Sequence, residues 1–240
     1  MNPAAVESRE LALNGQRVGY TLRRSVRKTL GLRVDARGLT VGVPLRVSLR
    51  EVEAFIRTHG EWILDKLNSR SARPEPVPFE VQDGAALPCL GEVWRLRLGR
   101  GNNRATWHEL GPERILELNL RAGADPRSVL LKGLQQRALD LFRHRVEEFC
   151  LRIGRAVPAV SLSSATTRWG SCSLRSGIRL HWRLVHLPIE LVDYVVAHEV
   201  AHLVEMNHSA RFWSVVESVY PDYAAARARL RVEAASLPHI

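Results

Sequence analysis

The pattern His198-Glu199-Val200-Ala201-His202 sets two histidines four residues apart, with a glutamate directly after the first. Residues four apart in a helix lie on one face, so both imidazoles can reach a single Zn²⁺ at about 2.0–2.1 Å. Glu199 points about 100° round the helix from His198, where it can contact a water on the metal and accept its proton. The spacing therefore predicts a metal centre with hydrolytic chemistry.

The residues around this pattern favour a buried metal helix over an amphipathic helix with two solvated histidines. Pro188 suits the start of a helix predicted to run through the pattern to residue 205. A solvated face would carry polar neighbours, whereas the residues around the two histidines are small or apolar: Val195, Val196, Ala197, Val200 and Ala201.

A catalytic zinc site needs a third protein ligand and an open position for water. His208 is the predicted third ligand, because Asn207 can take the left-handed conformation that ends a helix and turns the chain back towards the metal. Glu217, on the helix predicted after Asn207, is the alternative, in the manner of zinc enzymes with a distant glutamate ligand. Glu205 is expected at the surface.

Residues 160–187 are predicted to form antiparallel strands on the other side of a cleft, where Gly170 allows a turn or a close approach. Zinc peptidases bind an extended substrate along the edge of such a sheet. Arg168 is a candidate to stabilise developing negative charge, or else forms a structural salt bridge. Trp169 is a candidate lining residue of a substrate pocket, or else a core residue.

The elements that position these residues suggest three segments. Residues 1–72 are predicted to form β-hairpins followed by one helix that starts at the Ser48 N-cap. Residues 73–125 are predicted to contain a proline-rich extended linker and a second β segment. Residues 126–240 contain a long helix, strands, the histidine helix and C-terminal helices. No internal repeat is apparent. The fold class predicted from this order is α+β.

Composition and charge limit the classes of partner and the cellular compartment that we expect. The net charge of +10 is carried almost entirely by arginine, and the densest basic stretch is residues 23–33. This stretch predicts either nucleic-acid contact through the basic N-terminal half or a solvated strand face; the lack of interleaved aromatic residues favours the second. No apolar run is long enough to span a bilayer, and no signal peptide is recognisable. The three widely spaced cysteines indicate a reducing compartment, so we expect a cytoplasmic protein without membrane contact.

Several stretches together resemble a known family, the YgjP-like metallopeptidase domain, which is related to the SprT-like and WLM zinc proteases. The resemblance rests on TRWGSCS, LHWRLVHLPIELVDYVVAHEVAHLVEMNHSARFW and PDY, and on RRSVRKTLGLRV, GLTVGVP and EAFIRTHGEWILDKL in the N-terminal half. It implies a zincin-like fold, with His198, His202 and His208 as metal ligands and Glu199 as the catalytic glutamate. One departure is that His181 stands where the family usually has asparagine.

The sequence therefore predicts a metal-dependent hydrolase that binds one Zn²⁺ ion, or another divalent metal, and uses Glu199 to activate water. A peptidase acting on a peptide or protein is the first hypothesis. The second is hydrolysis of a phosphoanhydride in an anionic small molecule, such as a nucleoside triphosphate, which the arginine excess would suit. The third is a nucleic-acid-associated protein with a structural metal.

Overall fold

The computed structural model describes residues 6–35, 37–71 and 78–240. The predicted extended linker falls mainly on residues 72–77 and so lies outside the described residues. The chain divides into two compact units, Met1–Pro76 and Val77–Ile240. In the second unit, the β segment that the sequence analysis grouped with the linker shares one hydrophobic core with the helices that follow it.

The first unit is a sheet with helices packed on one face. Its strands lie in the order β1 (Val6–Leu13), β2 (Gln16–Ser25), β4 (Gly38–Pro44) and β3 (Gly31–Asp35). β2 and β4 are parallel, and the other neighbouring pairs are antiparallel. The hairpin predicted at Asn14-Gly15 is present, and both turn residues have the positive φ that a type I′ turn requires. The described elements are β1 (Val6–Leu13), β2 (Gln16–Ser25), β3 (Gly31–Asp35), β4 (Gly38–Pro44), α1 (Leu49–Thr58) and α2 (Gly60–Ser71).

The helix predicted from Ser48 begins as expected but does not run through. Ser48 accepts a hydrogen bond from the backbone N–H of Glu51, whose carboxylate accepts one from the Ser48 N–H, so the capping box is confirmed. The prediction of one helix is wrong, because α1 ends at Thr58 with His59 as its C-cap, and α2 begins at Gly60. The His59 ring bonds the Phe55 carbonyl at 2.9 Å, and glycine propagates a helix poorly.

Several arginines of the basic stretch, residues 23–33, have hydrogen-bond, ion-pair or packing partners within this unit. Arg24 donates to the Val47 carbonyl at 2.8 Å, and Arg33 pairs with Asp35 at 3.1 Å. The guanidinium of Arg27 lies over the paired glycines of β3 and β4. These contacts explain part of the arginine content structurally, and nucleic-acid contact stays a prediction.

The second unit contains two sheets and a group of helices around one core. Asp125 caps the long helix by accepting hydrogen bonds from the backbone N–H groups of Arg127 and Ser128, and the helix ends just before Gly154, which has a positive φ. The described elements are β5 (Ala86–Cys89), β6 (Glu92–Arg100), β7 (Arg104–Leu110), β8 (Glu113–Leu120), α3 (Pro126–Arg152), β9 (Val160–Ser163), β10 (Gly170–Ser173), β11 (Gly177–His181), a 3-10 helix (Trp182–His186), α4 (Ile189–Ala201), α5 (Ala210–Val219) and α6 (Tyr223–Glu233).

The two units share a topology that the sequence analysis missed. The order β5-β6-β8-β7 repeats that of the first unit, again with a parallel central pair and antiparallel outer pairs. Leu90 and Gly91 have positive φ in the first turn, like Asn14 and Gly15, and a capped helix follows each sheet. The expectation of no repeat is therefore wrong at the level of topology. Buried positions recur in both copies, but only some of them carry the same residue type: Leu11 matches Leu87, whereas Val18 matches Trp94, which hides the repeat in the sequence.

The sheet next to the histidine helix has the order β10-β11-β9. β10 and β11 are antiparallel, as predicted, but β9 runs parallel to β11, and the predicted strand region ends in the 3-10 helix. Among the described residues, no helix is long and apolar enough to cross a membrane.

A nearly buried ion pair connects α3 to the helix that carries the histidines. Asp193 of α4 is 9% exposed, and its two carboxylate oxygens accept hydrogen bonds from the Arg145 guanidinium, with Nε at 2.5 Å from Oδ1. Arg145 also donates to Glu148 at 2.6 Å. The pair lies just over one turn before His198, so it fixes α4 against α3 close to the centre.

Removing one partner of this pair is expected to destabilise the protein. Asp193→Ala leaves the Arg145 charge buried without its main partner and should lower the free energy of unfolding by about 3 kcal/mol, measured by urea denaturation. Glu233→Ala, which breaks the exposed pair with Arg229, is the control and should cost less than about 1 kcal/mol. Equal effects of the two substitutions would contradict this role of Asp193.

Candidate metal centre

The histidine helix is shorter than predicted. α4 ends at Ala201, and His202 is its C-cap residue with helical φ and ψ of −64° and −17°. The chain makes one further turn, since the Leu203 N–H bonds the Val200 carbonyl at 3.0 Å and the Glu205 N–H bonds the Ala201 carbonyl at 3.1 Å. This turn leads from His202 towards His208.

The turn to His208 is made by side-chain hydrogen bonds. Asn207 does not have the positive φ that the sequence analysis expected, so that detail is wrong. Its Oδ1 accepts from the Ser209 N–H at 3.0 Å, and its Nδ2 donates to Glu205 Oε1 at 2.8 Å. Ser209 then caps α5 by accepting from the Phe212 N–H at 3.4 Å. Asn207 thus orders the turn through its amide.

The three predicted histidines come together. Their nearest ring nitrogens all lie within 4.8 Å of one another, and the Nε2 atoms of His198 and His208 are 3.1 Å apart. Two nitrogens bound tetrahedrally at about 2.0–2.1 Å would be about 3.3 Å apart, so this spacing suits one small divalent ion. Glu217 is exposed on α5 and does not belong to the group. The geometry favours His208 over Glu217.

The protonation of the imidazoles also suits metal binding. The Nδ1–H of His202 donates to the Glu205 carbonyl at 3.1 Å, which leaves the Nε2 lone pair available. Burial, with smaller contributions from the neighbouring histidines, lowers the pKa of His198 to about 4. Burial also lowers the pKa of His202. Both rings are therefore neutral near pH 7, as ligation requires.

Two aromatic residues that the sequence analysis did not single out hold the imidazoles. Phe212 is fully buried, and its ring centre lies 4.9, 4.5 and 4.8 Å from those of His198, His202 and His208. Trp213 lies 5.8 Å from His198 and 6.1 Å from His208. The sequence signal that could have identified these two residues was their position in ARFW, at the start of an amphipathic helix just after His208.

Glu199 packs against the first residue of β10. Its side chain is buried, and a Cβ added to Gly170 would lie 2.6 Å from its Cγ and 2.7 Å from its Cδ. Burial raises the pKa of Glu199 to about 7, while the positive charge of Arg168, two residues before Gly170, lowers it. A carboxyl group with this pKa can both accept and donate a proton near neutral pH.

Gly170→Ala is expected to displace the Glu199 carboxylate, because the added methyl group would occupy its space. We predict a loss of about 100-fold in kcat with unchanged metal stoichiometry, since a shift of about 1 Å in a reacting group can cost this much. Steady-state kinetics and metal analysis measure the two effects. Gly19→Ala, where a Cβ meets nothing within 4 Å, is the matched control. Wild-type kcat in Gly170→Ala would contradict the close contact.

The remaining predicted residues lie around the centre. Arg168 is exposed, and Trp169 is partly buried against the core, with its ring 5.4 Å from that of His181. His181 and His186 are buried and do not join the histidine group. His181 accepts a hydrogen bond from the Arg183 N–H at 3.2 Å and so caps the 3-10 helix. Asparagine can make the same cap, which accounts for the departure from the family pattern.

An α+β fold that brings three histidines together beside a buried glutamate defines the class of metal-dependent hydrolases. The family model for the YgjP-like metallopeptidase domain matches residues 28–233. The chain therefore belongs to the YgjP-like metallopeptidase domain family, and the predicted family and fold class are confirmed.

Two solved structures are similar to this chain. The metallopeptidase zymogen of Pyrococcus abyssi abylysin is 23% identical, with 40% of this chain and 98% of that chain covered and a TM-score of 0.37. The metallopeptidase zymogen of Methanocaldococcus jannaschii jannalysin is 16% identical, with 38% of this chain and 95% of that chain covered and a TM-score of 0.35. The comparison with curated proteins gave no match.

Proposed function

We propose that this protein is a zinc-dependent peptidase in which His198, His202 and His208 hold the ion and Glu199 transfers the proton. The observation that carries the proposal is the close approach of the three imidazole nitrogens, next to a glutamate buried against Gly170. Three histidines leave one position open, which distinguishes a catalytic zinc site from a structural site with four protein ligands. Membership of a metallopeptidase family supports the same chemistry.

The chemistry divides between the ion and the chain. Zinc, when bound, supplies a Lewis acid that polarises a carbonyl and lowers the pKa of water towards about 7. Glu199 accepts a proton from the attacking water and then donates it to the leaving amine. The contact with Gly170 holds the carboxylate in one position.

The substrate is proposed to lie along β10. This strand is at the edge of its sheet, so one side of its backbone is not paired within the sheet. An extended peptide can add to such an edge, and Gly170 at the start of β10 would bring its scissile bond close to Glu199. Arg168 makes no ion pair among the described residues, and we assign it to the negative charge that develops on the substrate. Trp169 would border the same cleft.

Hydrolysis of a nucleoside triphosphate at the same centre is the alternative. The sequence has no glycine-rich phosphate loop, and no carboxylate cluster for Mg²⁺ was recognised in it. The peptide bond is therefore favoured.

An activity screen that compares the two bonds tests the proposal. The zinc-loaded protein is incubated with a fluorophore-labelled unfolded protein and, separately, with nucleoside triphosphates under phosphate detection. We expect cleavage of the polypeptide that is lost with a chelator and restored by zinc, and no more nucleotide hydrolysis than Glu199→Gln shows. Glu199-dependent phosphate release without polypeptide cleavage would overturn the peptidase function.

A further inference from the structure

An arginine that the sequence analysis did not single out lies beside the metal centre. The guanidinium carbon of Arg227, on α6, is 5.1 Å from the ring centre of Trp213. The same Trp213 ring is 5.8 Å from the His198 ring and 6.1 Å from the His208 ring. One aromatic side chain thus contacts both the arginine and two of the three candidate ligands.

Trp213 and α6 keep this guanidinium in place. Tyr223, one turn before Arg227, stacks on Trp213 with ring centres 5.2 Å apart and planes at 22°. The side chains of Tyr223 and Arg227 therefore both contact the indole of Trp213. A guanidinium on an aromatic face is already ordered, so it loses less conformational freedom when a ligand binds.

The charge of Arg227 is not neutralised by a neighbouring carboxylate. Arg227 is exposed and makes no ion pair with any side chain in the ranges that the structure describes. By contrast, Arg229 on the same helix pairs with Glu233 at 3.0 Å. Arg227 is therefore an uncompensated cation on the Trp213 ring, and that ring lies next to His198 and His208.

We propose that Arg227, seated on Trp213, is a specificity residue that binds a carboxylate side chain of the substrate, so that cleavage is preferred near aspartate or glutamate. A guanidinium donates two parallel hydrogen bonds to a carboxylate, and the amides of glutamine and asparagine lack the negative charge that strengthens this pair. This inference rests on the proposed peptidase function and names its substrate class as acidic peptides.

Cleavage-site profiling followed by matched peptides tests the preference. A tryptic peptide library is digested with the zinc-loaded protein, and the cleaved bonds are identified by mass spectrometry. Two synthetic peptides are then made around one cleaved bond, identical except for glutamate or glutamine at the enriched position. We expect kcat/KM about ten-fold higher for the glutamate peptide, a difference that shrinks at high ionic strength.

Variants of Arg227 separate recognition from a structural role. Arg227→Gln should remove the preference by slowing the glutamate peptide to about the rate of the glutamine peptide. Arg227→Lys should keep part of it, and Arg227→Glu should favour a lysine at the same position. Arg229→Gln, on the same helix, is the matched control and should change neither peptide.

The outcomes for this inference differ from those for the proposed function. Cleavage with equal rates for the acidic and neutral peptides, or a preference that survives in Arg227→Gln, overturns the role of Arg227 and leaves the peptidase function in place. A change in nucleoside triphosphate hydrolysis instead of peptide selectivity also overturns it. If no peptide in the library is cleaved in a manner that depends on Glu199, the peptidase function fails and the inference fails with it.

Discussion

Glu199→Gln is expected to lower kcat for peptide hydrolysis by about 10³-fold while zinc remains bound. Glutamine keeps the size of the side chain and its packing against Gly170, but it cannot accept the proton of the attacking water. Steady-state kinetics on a cleaved peptide measure the loss, and metal analysis of the same sample measures zinc. Turnover at the wild-type rate would contradict the role of Glu199.

Stability of the metal-free protein provides an independent check on Glu199. Burial raises its pKa from 4.5 to about 7, so the folded protein holds this proton more tightly than the unfolded chain does. The wild-type protein should therefore lose stability relative to Glu199→Gln as the pH rises from 4.5 to about 7, by about 3 kcal/mol in all. Denaturation with a chelator present measures this difference. Parallel pH profiles would show that the carboxyl group is not buried in solution.

His208→Ala is expected to weaken zinc binding by more than about 100-fold and to abolish hydrolysis. Loss of a direct ligand should exceed the about 10- to 100-fold cost of losing an outer-shell partner. Competition with a zinc-binding dye measures the affinity. The variant is expected to fold, because His208 lies at the surface and its removal leaves the Phe212 core intact.

Glu217→Ala is the matched control for His208. Glu217 was the alternative third ligand in the sequence analysis, and its exposed carboxylate lies outside the histidine group. The substitution should change neither zinc affinity nor kcat. Loss of zinc in Glu217→Ala, with normal binding in His208→Ala, would reverse the assignment of the third ligand.

The helical part of the centre was predictable because it depends on local spacing. Two histidines four residues apart share a helix face in any helix, so His198 and His202 required no knowledge of the tertiary fold. His208 was also predicted, although through the wrong mechanism. The turn depends on hydrogen bonds from the Asn207 side chain, whereas the prediction relied on a backbone preference of asparagine.

The surroundings of the centre were less predictable because they depend on packing between distant segments. The contact of Gly170 with Glu199 joins β10 to α4, and the ion pair of Arg145 with Asp193 joins residues 48 apart. Arg227 contacts Trp213, which borders the centre, only because α6 packs against α5. No periodicity in the sequence marks these pairs.

The repeated sheet topology escaped the sequence analysis for a related reason. Val18 and Trp94 occupy the same place after their hairpin turns, and both are buried, but they share no residue type. Strand order and buried hydrophobic positions therefore recur without a matching sequence along the whole repeat.

The prediction of a single helix after Ser48 was wrong for a local reason. A hydrogen bond from the His59 side chain to the backbone and the glycine that follows end the first helix there.

The most direct test of the three-histidine zinc centre is a crystal structure of the zinc-loaded protein with anomalous data on both sides of the zinc absorption edge. We predict one zinc ion in the chain, bound by nitrogen atoms of His198, His202 and His208 at about 2.0–2.1 Å, with a water in the fourth position beside Glu199. A zinc ion with four protein ligands, or one coordinated by Glu217 with His208 turned away, would contradict the account.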